Sequence, residues 1–197
     1  MKRCLLVMLL ALAELVAVPG VRAAALEAGM LLVARDEMPD VRFREAVVLI
    51  VQGGARGTAG LVLNRPSRLV LAEAVPALAE LAGSDRVLSY GGPVAPQSLM
   101  ALVKAVDAPP EPAQQVFARI YLTGPESLAG WLSGREVPPD YRVFAGYAGW
   151  APGQLDRELA QGDWLVLAAD EDALFADDEA GLWPMLRAGE AGAKPRD

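Results

Sequence analysis

Six consecutive apolar residues, Ala46 to Val51 (AVVLIV), run into the glycine-rich stretch Gln52-Gly53-Gly54-Ala55-Arg56-Gly57, and a second apolar run returns from Thr58 to Leu63. β-branched side chains dominate the first run and suit a pleated, buried strand better than a helix. Two such runs joined by a glycine turn read as a β-hairpin. This hairpin constrains the rest of the chain more than any other feature.

Shorter segments supply the remaining elements. Met30 to Ala34, Val87 to Tyr90, Tyr141 to Tyr147 and Trp164 to Ala168 read as further strands. Leu99 to Val106 and Val116 to Leu122 flank the proline-rich break Asp107-Ala-Pro-Pro-Glu-Pro112 and can pair across it. Leu71, Val75, Leu78 and Leu81 recur at helical spacing and predict a helix over Leu69 to Leu81, weakened at Pro76. Pro125 to Leu132 carries proline near its first position, and Gly153 to Gln161 ends on Gly162, so both read as helices. Gly181 to Ala188 is a last short helix, followed by a disordered tail over 189–197. Strands outnumber helices and several pair locally, which gives an α+β single domain.

The first residues bear on compartment. Lys2 and Arg3 precede an apolar run from Cys4 to Val18, broken by Pro19-Gly20, and Val21-Arg22-Ala23 resembles a cleavage site. This is the layout of a secretory signal peptide over 1–23, ahead of a domain over 24–188. The run is too short for a span of about 20 residues, so no stable membrane span is expected after cleavage. The expected location is periplasmic or secreted. A cut after Ala23 removes Lys2, Arg3, Arg22 and Glu14 and leaves a net charge of −9 with no cysteine.

Composition then excludes several chemistries. The chain has no histidine, and Cys4 is its only cysteine. Structural zinc and Ser-His or Cys-His nucleophile pairs are therefore ruled out for the mature domain. No metal or cofactor is expected. The glycine clusters fit neither phosphate-loop spacing, so turns are their plainer role. The acidic groups Asp36-Glu37 with Asp40, Asp170-Glu171-Asp172 and Asp177-Asp178-Glu179 lack the calcium-loop order and read as solvated loops. A net negative chain with no basic stripe is not expected to bind nucleic acid.

Three turns stand out as a candidate ligand or partner surface. Asn64-Arg65-Pro66 closes the hairpin's second strand and reads as a turn with an ion pair, or as a grip on an anion. Gly91-Gly92-Pro93 follows a strand. Gly146-Tyr147-Ala148-Gly149-Trp150-Ala151-Pro152-Gly153-Gln154 reads as a strand end, a glycine-relieved bend and a helix start, with Trp150 buried and its indole N–H bonded.

These same blocks, GTAGLVLNRP from Gly57, YGGPVAPQSL from Tyr90 and GYAGWAPGQLDREL from Gly146, resemble the hallmarks of the YqgE/AlgH family in order and over nearly the whole mature chain. The resemblance implies a mixed sheet that curls toward a partial barrel with helices packed around it. It implies little chemistry, although members carry a transcriptional-regulator label. Leu102-Val103 and Gln52-Gly53-Gly54 stand where the family carries histidines. The expected function is a non-enzymatic binding or regulatory module, exported, acting on an unknown protein or small molecule. The alternatives are a cytoplasmic transcriptional regulator, if the leader is not a signal peptide, and a hydrolase or transferase using carboxylates such as Asp156 or Asp40.

Overall fold

The computed structural model describes residues 26–54, 56–81, 86–133, 139–171, 173–175 and 178–192. The leader over 1–23 lies outside them. The hairpin forms as expected, from β1 (Met30–Ala34) through β2 (Val47–Gln52) and β3 (Thr58–Val62). β4 (Pro66–Val70) and β5 (Val87–Tyr90) follow, then the long β6 (Val94–Lys104), β7 (Ala113–Phe117), β8 (Ile120–Thr123), β9 (Asp140–Trp150) and β10 (Trp164–Ala168). The sheet runs β10-β1-β2-β3-β9-β6-β8-β7, with β4 and β5 joined at its side. Every pair is antiparallel except β5 with β9, so the sheet is mixed.

The sheet curls on itself. Gln114 on β7 donates its Nε2 to the Val51 carbonyl of β2 at 3.4 Å, across the seam of a half-barrel. Leu49, Val51, Leu61, Leu63, Leu102, Val116, Ile120 and Phe144 fill the inside of the curl. Val48, Ile50, Val62, Ala148 and Trp150 point to the other face, and β6 and β9 back onto a third cluster. Both faces are therefore covered. This explains why β2 is continuously apolar and buried instead of alternating.

The helices are α1 (Leu71–Ala74), α2 (Pro125–Leu132), α3 (Gln154–Gln161) and α4 (Leu182–Gly192). α2 matches its expected span, and α4 continues to Gly192, into the stretch expected to be a disordered tail. The helix expected over Leu69 to Leu81 does not form. β4 runs to Val70, α1 makes one turn, and a 3-10 turn at Pro76–Leu78 completes the segment. Pro76 has no N–H to continue the ladder. Leu71, Val75 and Leu78 are nonetheless buried, so their spacing reported packing but not backbone. The strand expected over Val116 to Leu122 is instead the tight β7–β8 hairpin. Its turn residue Ala118 has φ +40°, where no glycine or asparagine marks a turn. β8 pairs with β6, so the two flanks of the proline-rich loop do meet.

Candidate functional site

β9 does not end at the expected Tyr147. It continues to Trp150, which pairs with Thr58, so the expected bend falls at Ala151 to Gly153. Trp150 is 4% exposed, stacked on Phe43 with ring centroids 5.6 Å apart and edge-on to Trp164 at 6.1 Å. Both indole N–H groups donate to one oxygen, Glu158 Oε2, at 2.9 Å each. The other oxygen accepts Gln154 Nε2 at 2.9 Å, and Gln154 Oε1 accepts the Ala151 amide at 3.2 Å. One turn of α3 thus locks two tryptophans, and Gln154 is spent inside that lock. Glu158 is the member that sequence reasoning missed.

The other two turns are also committed internally. Asn64 Oδ1 accepts the Val47 amide at 2.9 Å, and its Nδ2 donates to the Glu45 carbonyl at 2.7 Å, holding Glu45 at φ +56°. Arg65 donates to the Arg44 carbonyl at 3.1 Å, so it grips backbone and forms no ion pair among the described residues. Pro66 opens β4 opposite Ser89. Gly91, Gly92 and half-buried Pro93 carry the chain from β5 into β6 across β9. A Cβ on Gly92, at φ +151°, would stand 2.2 Å from the Tyr147 carbonyl carbon, and one on Gly91 2.2 Å from the Gly146 oxygen.

The mouth of the half-barrel is different. A cavity of about 530 Å³ opens there, lined by all six strands from β2 to β7 around the curl. Strand register explains which side chains face it. Ala59 pairs with Gly149, Val94 with Tyr147, and Gln114 with Leu122, all on the inward face. A bulge after Ile50 turns Gln52 inward opposite Ala59, and Met100 sits beside Phe144. Arg56 and Thr58 stand at the rim, where Trp150 also borders the cavity although its ring points to the opposite face. Of the three turns singled out from sequence, only the last reaches the mouth, through Tyr147, Gly149 and Trp150. Gln52, Arg56, Met100, Gln114 and Leu122 were missed, because their convergence depends on how far the sheet closes. Gln52, Arg56, Thr58 and the Tyr147 hydroxyl make no side-chain hydrogen bond among the described residues.

A second cavity, of about 460 Å³, is bordered by Pro66, Arg86, Tyr141, Arg142 and Glu179. Arg142 and Glu179 pair at 2.7 Å with side chains only 11% and 19% exposed. Arg142 also donates to Leu174 O, Leu63 O and Ser89 Oγ, while its buried Nε has no partner among the described residues. Burial pulls the Arg142 guanidinium below its ordinary range, against the pull of Glu179. Burial likewise pushes Glu179 up, against Arg142 and a hydrogen bond from Ser89. This arrangement is a structural tie whose donors are nearly all used.

The acidic groups lie on largely exposed loops, as expected, and several have partners. Glu171 accepts Arg119, Asp36 pairs with Arg187, and Asp178 caps the Gly181 amide. A hydrogen bond from the Arg42 side chain holds Asp40 below its usual range. Asp172 and Asp177 lie outside the described residues.

Residues 31–192 match the family model described as AlgH-like. A UPF0301 protein of Mycobacterium tuberculosis is 35% identical over 164 residues, covering 79% of this chain and 78% of the relative. A UPF0301 protein of Streptomyces avermitilis is 35% identical, covering 79% and 82%. The crystal structure of protein DIP2367 from Corynebacterium diphtheriae is similar at a TM-score of 0.68 and 30% identity, over 82% of this chain and 85% of that one. The solution structure of the AlgH protein from Pseudomonas aeruginosa gives a TM-score of 0.68 at 27% identity, over 85% and 89%. The half-barrel fold is common to them, and this chain belongs to the AlgH-like (YqgE/AlgH) family.

Proposed function

We propose that the protein is a non-enzymatic binding module that takes a ligand in the mouth of its half-barrel. One observation carries this reading. The mouth is the place where uncommitted polar groups, Gln52, Arg56, Thr58 and the Tyr147 hydroxyl, ring an apolar floor. The polar groups of the Asn64 and Gln154 turns are spent on the fold. Barrel mouths are a common location for small-molecule sites, and the volume is ligand-sized. Catalysis is not part of the reading. Asp40 is tied to Arg42 and Asp156 is exposed on α3, and neither borders the mouth.

The test compares natively purified wild type with Gln114→Trp, a filled mouth at an exposed edge-strand position. Small molecules extracted from each are compared by mass spectrometry. A species retained by wild type and absent from the variant is expected. Equal retention by both would overturn the reading.

Export is part of the proposal, motivated by the basic and apolar leader. Fractionation is expected to find a chain beginning near Ala24 outside the cytosol; an intact cytosolic chain would refute it. At the net charge of −9 left by that cut, direct duplex recognition is not expected, and a sequence-specific footprint at nanomolar protein would reverse that.

A further inference from the structure

The lining of the mouth has a chemical bias. Among the described residues Arg56 is its only charged side chain, in a chain with 25 acidic and 18 basic residues. Arg56 stands in the β2–β3 turn, which the Gly57 amide closes onto the Gly54 carbonyl at 3.0 Å. It forms no ion pair or hydrogen bond with the described residues, so its donors are open to a planar anion. Below it lie Val94, Met100 and Leu122, and the flexible thioether suits an irregular apolar body. Gly149 leaves the floor bare: a Cβ there would stand 3.3 Å from both the Tyr147 ring and Val94 Cγ2.

A separate cavity of about 390 Å³ shares Met100, Gln114 and Leu122 with the mouth. Glu111 borders only that cavity, and Arg56 only the mouth. A negative head group is therefore favoured at Arg56 and disfavoured beside Glu111. We infer that the mouth takes a small amphipathic carboxylate, with its carboxylate on Arg56 and its apolar body over Val94, Met100 and Leu122. This rests on the reading of the mouth as the binding site.

The probes are decanoate, 1-decanol and decylammonium below their micellar concentrations. Each is titrated into the full chain while backbone amide shifts of Tyr147, Met100 and Gln114 are followed. Saturable shifts with decanoate are expected, about fivefold tighter than decanol, the scale of an exposed ion pair. Decylammonium should bind more weakly than either. Arg56→Gln should erase the advantage of decanoate and leave decanol within about twofold, and Arg56→Glu should favour decylammonium. Arg56 makes no side-chain hydrogen bond or ion pair among the described residues, so these variants should keep the fold. If decanol matches decanoate and Arg56→Gln changes neither, the carboxylate inference falls while the mouth stands. If all three probes leave the mouth amides unmoved, or shift the surface without saturation, the mouth reading falls as well.

Discussion

Glu158 shows how one side chain can decide a corner. Its Oε2 serves two buried indoles, and a buried donor left unpaired costs about 1–3 kcal/mol. Glu158→Ala should therefore destabilise by about 2–5 kcal/mol. Trp150→Ala, which empties a packed aromatic site, should cost about 3–5 kcal/mol. Gln154→Ala touches only two half-exposed bonds and should cost less than about 1.5 kcal/mol. Urea denaturation followed by far-ultraviolet circular dichroism ranks the three, and a Trp150→Ala protein as stable as wild type would show that the cage does not hold the corner. Trp150's burial was legible in sequence, because a large aromatic between glycines at a strand end must pack. Glu158 was not, since its partners Trp150 and Trp164 come together only once α3 lies beside them. The groups facing the mouth were hidden for the same reason: they come from six strands and share no local pattern.

Elements were most legible where burial is two-sided and local. β1, β2, β3, α2 and β10 fall within a few residues of their expected bounds, since continuous apolar runs and a proline at a helix start are local signals. The first half of β6 was missed because Ala95 to Ser98 is exposed and contains Pro96. The β7–β8 turn was missed because side chains hold it: Glu171, 52 residues away, accepts the Arg119 amide at 2.7 Å, and within the turn Gln115 donates to the Ala118 carbonyl at 2.6 Å. The step from β5 into β6 over β9 leads to a paired prediction. Gly92→Ala places a methyl group inside the β9 backbone and should leave the protein unable to fold, as judged by near-ultraviolet circular dichroism. Gly130→Ala, exposed within α2 with open space around it, should raise stability by about 0.5–1 kcal/mol. A folded Gly92→Ala protein would mean that the two backbones can separate at that step.

At the scale of the molecule, the Arg142–Glu179 pair joins β9 to the end of β3, to β5, to the Leu174 turn and to the segment entering α4. Taking two ions out of water can cost more than their attraction returns, and the shifts of both groups carry that sign. Asp40 and Glu171 are opposite cases. Hydrogen bonds from Arg42 and Arg119 hold them below the ordinary values of 3.8 and 4.5. Their stabilisation is present above those values and is lost as pH falls through the lower folded ones. Glu179 is raised above 4.5, with Arg142 and Ser89 facing it and Asp178 beside it. Between 4.5 and its raised value, the folded chain holds this proton more tightly than the unfolded chain. Stability should therefore fall as pH rises through that window. Glu179→Gln keeps an acceptor for Arg142 and removes the titration. Urea midpoints measured from about pH 3 to pH 8 should then separate the two proteins. Wild type should decline as pH rises from 4.5, the variant should stay level there, and both should weaken on the acid side, where Asp40 and Glu171 take up protons. Parallel profiles above 4.5 would mean that Glu179 keeps its charge throughout and that the tie is a permanent ion pair.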